Sequence, residues 1–320
     1  MSRRIQQMRP VDIDPTPPGD IEAQLKAQLR GLADVRMPHE CDEPILAAPV
    51  RRAVYEWMTE TRMRSELKAV GVNPRHTCLL YGPPGCGKTT LAHHFAARLG
   101  MPLIIATCDQ LVDMYLGASG KNIRALFDTL RMYDGKVVGF MDEFDAIAGK
   151  RQSGKDPGGA GSERNAIVAA LLTNIESLTG LFFAATNRSD ALDPAIWRRF
   201  GMQLDVELPE FDERFAIIKR YFEPFECDQS VLDALALITD GAAPSLLRQL
   251  VEGVKRALVL GPKLKRPTDD PIAVVGSVVA QVAPHPDYLQ PPFRIPALWS
   301  DKSEISLLHG KPWPPKRRSA

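Results

Sequence analysis

A glycine-rich stretch with one lysine and one threonine carries the clearest chemical signal in the sequence. Residues 82–89 read GPPGCGKT and fit the pattern G-x-x-x-x-G-K-[ST]. Its glycines let the backbone turn tightly and present inward-pointing N–H groups to an anion. The lysine adds a positive charge for the β- and γ-phosphates, and the threonine hydroxyl can bind Mg²⁺. The residues predicted to bind the phosphates are Gly82, Pro83, Pro84, Gly85, Cys86, Gly87, Lys88, Thr89 and Thr90.

A pair of carboxylates, Asp142 and Glu143, follows an apolar run at residues 137–141. Ligands of open α/β sheets bind outside the carboxyl ends of the strands, so this run would deliver both carboxylates to such a crevice. We expect Asp142 to hold Mg²⁺ together with Thr89, and Glu143 to orient and polarise an attacking water. The alternatives are a chance glycine-rich turn for residues 82–89 and a solvated turn for the acidic pair. Together the two motifs favour a site that binds ATP with Mg²⁺ and hydrolyses it.

Short apolar segments alternate with helical ones around both motifs. Strands are predicted at residues 77–81, 102–107, 136–143, 180–187 and 203–209. This alternation predicts an α/β fold in which helices cover both faces of a parallel sheet. After Pro209 the strand signals stop, and four helical stretches predict a separate small all-α domain.

The same pattern divides the chain into four parts. Residues 1–40 are predicted to be a flexible N-terminal segment with a short helix at 21–32, and residues 41–209 to be the α/β nucleotide-binding domain. Residues 210–283 are predicted to form the helical domain. Residues 284–320 are rich in proline and are expected to be extended and partly disordered.

The composition argues against several classes of partner. The formal net charge is +1, without a basic stripe interleaved with aromatic residues, so nucleic-acid binding is not expected. No run approaches the ~18 apolar residues that a transmembrane helix needs. The five cysteines form no CxxC pair, which speaks against a zinc site or a disulfide framework and favours a reducing compartment. We expect a cytoplasmic protein without a membrane anchor.

Four segments in order resemble the AAA family of ATPases. Residues 142–151, DEFDAIAGKR, resemble the family's stretch around its Walker B motif, and residues 182–188, FFAATNR, resemble its sensor 1. Residues 192–200, LDPAIWRRF, are similar to the arginine-finger segment of the microtubule-severing and endosomal-sorting branch. Residues 114–127, MYLGASGKNIRALF, resemble the first pore loop. The resemblance implies a P-loop NTPase fold, with residues 82–89 as Walker A motif and a C-terminal helical lid.

The resemblance also implies roles for particular residues. Asn187 would hydrogen-bond the γ-phosphate or the lytic water. Arg198 and Arg199 would enter the active site of a neighbouring subunit, which implies a homo-oligomer, usually a hexamer in this family. A solvated basic helix end is the alternative for the two arginines. The first pore loop would place three residues in a central channel, where an aromatic ring can grip an extended polypeptide: Tyr115, Leu116 and Gly117.

Some positions depart from the family pattern or suggest plainer interpretations. Residues 243–247 read Ala-Pro-Ser-Leu-Leu where the lid helix of relatives begins with Ser-Gly-Ala-Asp-Leu, so the usual adenine contacts are in question. Arg248 is a weak candidate for sensor 2 and is more simply a surface charge. Ala118 stands where many relatives carry Glu. His93 and His94 are predicted to lie on a helix surface, and Tyr115 could instead be a core residue.

Three functions fit these features. The first is an ATPase that threads or remodels protein substrates through a ring pore. The second is a nucleic-acid-directed loader, and the third is a switch that assembles on ATP and acts with a partner effector such as a protease. The chain as a whole resembles stand-alone bacterial or phage AAA ATPases. The substrate and adaptor are not indicated by any motif.

Overall fold

The structure is a computed structural model that describes residues 19–111, 118–148, 160–282, 284 and 295–317. The helices are α1 Gly19–Gln28, α2 Ala48–Arg62, α3 Arg64–Ala69, α4 Lys88–Arg98, α5 Cys108–Leu111, α6 Ala118–Met132, α7 Phe144–Ala148, α8 Ala160–Ser177, α9 Pro194–Trp197, α10 Phe211–Phe222, α11 Gln229–Ile238, α12 Pro244–Leu260, α13 Pro271–Val279 and α14 Ala297–Ser300. The strands are β1 Asp34–Arg36, β2 Thr77–Tyr81, β3 Leu103–Ala106, β4 Val138–Met141, β5 Leu181–Thr186, β6 Met202–Asp205, β7 Phe225–Glu226 and β8 Lys316–Arg317. Short 3₁₀ helices are formed by Pro38–Glu40, Ser189–Ala191 and Lys302–Leu308.

One sheet takes the strands in the order β1-β3-β4-β5-β2-β6. The pairs from β3 to β6 are parallel, whereas β1 pairs antiparallel with β3. This arrangement confirms the predicted α/β fold with a mostly parallel sheet. The sequence did not predict β1, because three residues with half-exposed or exposed side chains give too short a pattern. β5 lies between β2 and β4, so the residues that follow these three strands meet at one edge of the sheet.

The described residues form two compact units. The first comprises Arg52–Tyr81 and Lys88–Asp205 with the chain before Ile45, and it contains the whole six-stranded sheet. The second comprises Ile45–Arg51, Gly82–Gly87 and the chain from Val206 onward.

An aromatic cluster anchors the first unit. The fully buried rings of Trp57, Phe95 and Phe183 have centroids 4.4–5.1 Å apart, and the indole Nε1 of Trp57 donates to the carbonyl oxygen of Arg75 at 2.9 Å. Tilted and edge-on aromatic pairs of this kind stabilise a core beyond their buried area. The cluster ties α2 and α4 to β5.

The prediction that His93 and His94 lie on a helix surface is wrong. Their side chains are only 3% and 7% exposed, because the segment around Pro38–Glu40 packs over α4. The ring Nε2 of His93 lies 2.9 Å from the carbonyl oxygen of Met37. Burial, with a smaller contribution from Arg98, lowers the pKa of His94 to about 4. Helical periodicity could not reveal this cover, which comes from a distant part of the chain.

The second unit contains the four predicted helices, α10 to α13, around their own core. Arg214, on α10, is buried. Its Nε donates to the carbonyl oxygen of Ala236 at 2.9 Å, and its Nη1 donates to that of Pro209 at 2.8 Å and lies 3.0 Å from Asp240 Oδ1. These contacts satisfy a buried guanidinium, which would otherwise be costly to desolvate.

The C-terminal part of the second unit differs from the extended tail that the proline content predicted. Within residues 295–317, α14 and the 3₁₀ helix Lys302–Leu308 bury three apolar side chains in the helical core: Leu298, Ile305 and Leu308. The described end of the chain then forms β8, which pairs antiparallel with β7. Neither strand was predicted, since two residues carry no alternation. The apolar residues spaced among the prolines indicate this packing, but the prediction was based on the proline content.

We expect Leu308→Ala to lower the free energy of unfolding by about 2–5 kcal/mol, because the fully buried side chain would leave a cavity in the helical core. Leu307→Ala is the matched control, since that neighbouring side chain is 41% exposed and should change stability by less than about 0.5 kcal/mol. Chemical denaturation of both variants measures the difference. Equal effects would mean that the tail does not pack as described.

Candidate functional site

The glycine-rich loop Gly82–Gly87 connects β2 to α4, as the sequence predicted. Gly82, Gly85 and Gly87 have φ angles of 137°, 76° and 86°, in the region that residues with a Cβ rarely adopt. The carbonyl oxygen of Gly85 accepts a hydrogen bond of 3.3 Å from the backbone N–H of Ser245, at the start of α12. The loop conformation thus depends on glycine at the three positions where the motif places it.

Lys88, the first residue of α4, is only 6% exposed. Its Nζ donates a 2.6 Å hydrogen bond to Oδ1 of Asn187, the residue that follows β5. The structure therefore brings the predicted phosphate-binding lysine together with the predicted sensor residue. A buried ammonium group on the helix that follows a glycine-rich loop is well placed for a phosphate.

Thr89 and Asp142 form a second pair. The hydroxyl of Thr89 donates to Oδ2 of Asp142 at 2.7 Å, and Asp142 directly follows β4. A hydroxyl and a carboxylate are the hard oxygen ligands that Mg²⁺ prefers, and Mg²⁺ is usually held by few protein groups together with substrate phosphates. The two residues fit a magnesium ion. Thr90, which is also predicted to bind the phosphates, is the next residue of α4.

Glu143 adopts a backbone conformation that is unusual for a residue with a side chain. Its φ angle is 52°, and its side chain is exposed. Its N–H donates to Oδ1 of Asp142 at 2.9 Å, and its carbonyl oxygen accepts from Ala146 at 3.0 Å in α7. A non-glycine residue in the left-handed region costs about 1–3 kcal/mol and persists only where its surroundings enforce it. Such strain is concentrated at functional sites, so it supports a chemical role for this carboxylate.

One contact at the site was not predicted. The hydroxyl of Thr186, the last residue of β5, donates to Oδ1 of Asp145 at 2.7 Å and accepts from the N–H of Arg188 at 2.9 Å. It ties the segment after the acidic pair to the segment that carries Asn187. Both residues lie inside the motifs DEFD and AATNR, but only the sheet order shows that they are neighbours.

The predicted finger segment is a short helix, α9, followed by a turn. The carboxylate of Asp193 accepts from the N–H of Ala195 at 2.8 Å and caps the helix. Arg199 is exposed, and its guanidinium donates to Glu176 Oε1 at 2.6 Å and to the carbonyl oxygen of Ala195 at 3.1 Å. Arg198 is exposed and lines a cavity of about 300 Å³ with Ser189, Asp190, Leu192, Pro194 and Trp197.

The remaining candidates divide into two groups. Tyr115, Leu116 and Gly117, predicted for the first pore loop, lie outside the described residues. Arg248 is exposed on α12 and forms an ion pair with Glu252 at 2.7 Å, in keeping with a surface charge.

Across the described parts of the chain, no helix combines the length and apolar character needed to cross a bilayer.

Comparison with known proteins identifies the domain that carries this geometry. The sequence model of the ATPase family associated with various cellular activities (AAA) matches residues 78–208. An uncharacterized AAA family ATPase of Sinorhizobium fredii, y4kL, is 39% identical over 174 residues, which are 54% of this chain and 51% of that protein. A proteasome-activating nucleotidase of Pyrococcus abyssi is 34% identical over 187 residues, which are 57% of this chain and 46% of the nucleotidase.

The ribosome biogenesis ATPase RIX7 of Saccharomyces cerevisiae is 37% identical over 195 residues, 57% of this chain and 23% of that protein. The chain thus spans about half, or less, of the length of these relatives. The matched region contains the loop from Gly82 onward, the acidic pair, Asn187 and both arginines. Residues 78–208 are thus similar to the AAA family of ATPases, and the mostly parallel sheet agrees with the P-loop NTPase fold of that family.

Proposed function

We propose that the chain binds ATP with Mg²⁺ and hydrolyses it. The observation that carries the proposal is the pairing of Lys88 with Asn187 and of Thr89 with Asp142, at the ends of neighbouring parallel strands. A positive charge for phosphate and oxygen ligands for a divalent cation are thereby combined in one arrangement. Hydrolysis of a phosphoanhydride depends on such positioning and charge stabilisation more than on covalent chemistry.

Each side chain then has a separate task. The backbone N–H groups of the loop and the ammonium of Lys88 would bind the β- and γ-phosphates. Thr89 and Asp142 would hold Mg²⁺, which supplies charge neutralisation to the phosphates when it is bound. Glu143 would accept a proton from the attacking water, and Asn187 would donate its amide hydrogen bond to that water or to the γ-phosphate.

The direct test compares nucleotide retention by the purified protein with and without Mg²⁺. Lys88→Ala should weaken ATP binding by about 10-fold or more, because it removes a buried charge-assisted contact worth about 1.5–3 kcal/mol. Lys136→Ala, an exposed lysine of the same unit, is the control and should bind as the unchanged protein does. Failure of the unchanged protein to retain nucleotide when Mg²⁺ is present would contradict the proposal.

We also propose that the protein acts as a homo-oligomeric ring, with six subunits as the expected number. Arg198 and Arg199 are exposed on the turn after α9 and could reach a site outside their own subunit. A guanidinium delivered to the γ-phosphate of a neighbour stabilises transition-state charge. The similarity to the AAA family, whose members generally assemble as rings, supports this proposal. We place the protein in the cytoplasm, since three of its described cysteines are free thiols: Cys41, Cys78 and Cys227.

Protein remodelling is the proposed use of the ATP energy. We expect Tyr115→Ala to leave basal ATP hydrolysis within about 2-fold and to abolish unfolding of a bound protein, because an aromatic ring supplies grip but no chemistry. Fluorescence loss of a tagged test protein, measured beside phosphate release, separates the two activities. Tyr133→Ala, a substitution of another tyrosine in the same unit, is the control. Full unfolding activity in Tyr115→Ala would argue against threading.

A further inference from the structure

The backbone on both sides of the two arginines is held by a side chain to which the proposed function assigns no role. Gln203, on β6, donates hydrogen bonds from its Nε2 to the carbonyl oxygen of Trp197 at 3.0 Å and to that of Phe200 at 2.8 Å. The first carbonyl directly precedes Arg198, and the second directly follows Arg199. A single amide group therefore closes the turn that presents both guanidinium groups.

These two contacts require an amide nitrogen. Carbonyl oxygens only accept hydrogen bonds, so the side chain at position 203 must supply two donors from one atom. A glutamate has nearly the same shape, but its ionised carboxylate only accepts. Gln203→Glu would therefore replace two attractive contacts with two repulsive ones while preserving the volume of the side chain.

The turn is also fixed from the start of β2. The hydroxyl of the buried Thr77 donates to the carbonyl oxygen of Arg199 at 3.3 Å and accepts from the N–H of Gly201 at 3.0 Å. β6 pairs in parallel with β2, and Gln203 stands opposite Leu79 in that register. The strand that carries Gln203 is thus fastened to the strand that leads into the phosphate-binding loop.

We propose that Gln203 is a positioning residue that orients Arg198 and Arg199 for insertion into the active site of the neighbouring subunit. The inference rests on the proposed trans-acting role of these arginines. A displacement of about 1 Å in a catalytic group can cost about 100-fold in rate. Because two exposed side chains must find a phosphate on another chain, the turn that carries them has to be fixed before the subunits meet.

Mixed oligomers test this role separately from a merely structural one. Lys88→Ala subunits lack a working site but can donate arginines, whereas Arg198→Ala/Arg199→Ala subunits have a site and cannot donate. The hydrolysis rate of Gln203→Glu by itself should be lower than that of the unchanged protein by about 10-fold or more. The reference mixture combines Lys88→Ala with Arg198→Ala/Arg199→Ala. A mixture of Gln203→Glu with Lys88→Ala should reach the activity of this reference, because the intact sites of the Gln203→Glu subunits receive correctly placed arginines from the Lys88→Ala subunits.

The reverse mixture should fail. A mixture of Gln203→Glu with Arg198→Ala/Arg199→Ala should show no more activity than the sum of the activities of the two variants measured separately. In this mixture only the Gln203→Glu subunits carry the arginines, and these are misplaced. Glu207 is exposed and lies two residues beyond β6. The control variant Glu207→Gln should match the unchanged protein both when it donates its arginines and when its own site receives them. Oligomer mass and thermal midpoints of all variants check assembly and folding.

Two outcomes would overturn the inference while the reference mixture is active. Gln203→Glu could donate as well as the unchanged protein, or it could remain inactive when Lys88→Ala supplies the arginines. An inactive reference mixture would instead contradict the trans arrangement itself, and the role of Gln203 would fall with it.

Discussion

Glu143→Gln is expected to bind ATP as tightly as the unchanged protein and to hydrolyse it about 10²–10⁴-fold more slowly. General-base catalysis typically contributes a factor of this size, and the amide cannot accept the proton of the attacking water. The substitution keeps the size of the side chain and leaves Lys88, Thr89 and Asp142 in place. Phosphate release measured beside nucleotide retention separates the loss of chemistry from a loss of binding.

Glu207→Gln is the control for removing one exposed carboxylate, and it should leave turnover unchanged. Unaltered hydrolysis by Glu143→Gln would remove this residue from the mechanism. The variant should also accumulate in its ATP-bound, assembled form, which makes it a trap for the natural substrate. A captured protein would support remodelling, and captured nucleic acid would favour a loader. An ATP-dependent complex with a protease would favour the assembly switch.

The second large effect is expected for Arg198→Ala combined with Arg199→Ala. Loss of an arginine finger typically costs about 10³–10⁵ in the hydrolysis rate, whereas nucleotide binding to each subunit's own loop should persist. Mixing this variant with Lys88→Ala should restore activity at those interfaces where an intact site meets intact arginines. Steady-state phosphate release across a range of mixing ratios measures the recovery.

The single substitutions distinguish the two arginines. Arg199 already donates to Glu176 and to Ala195 within its own subunit, so Arg199→Ala disturbs the turn as well as removing a charge. Arg198→Ala tests the exposed guanidinium alone. Absence of any recovery in the mixture, with oligomers confirmed by mass, would mean that neither arginine acts across a subunit boundary.

The sequence predicted the central strands well because their burial leaves no ambiguity. β2, β4 and β5 are runs of apolar residues bounded by polar or glycine-rich segments, and each lies within the predicted range. The glycine positions and the acidic pair follow from the same motifs. Chemistry that depends on residue type near strand ends was therefore visible before the structure.

Contacts between distant segments were not visible in this way. The burial of His93 and His94 depends on residues near Met37, and the pairing of Thr186 with Asp145 depends on the order of the strands. Gln203 shows no signal at all, since a single amide on an edge strand has neither periodicity nor a motif. The C-terminal segment was predicted to be extended because of its proline content. Its three well-spaced apolar residues, which pack in the helical core, were given too little weight.

The backbone conformation of Glu143 sets the stability of the fold against the catalytic role proposed for this residue. Asparagine tolerates a φ of 52° better than glutamate does, and glycine adopts it freely. A selection for heat resistance alone would therefore favour replacement of this carboxylate, and under the proposed mechanism the resulting variants would no longer hydrolyse ATP. Any effort to stabilise the protein without losing the proposed hydrolysis has to keep Glu143 and change other positions.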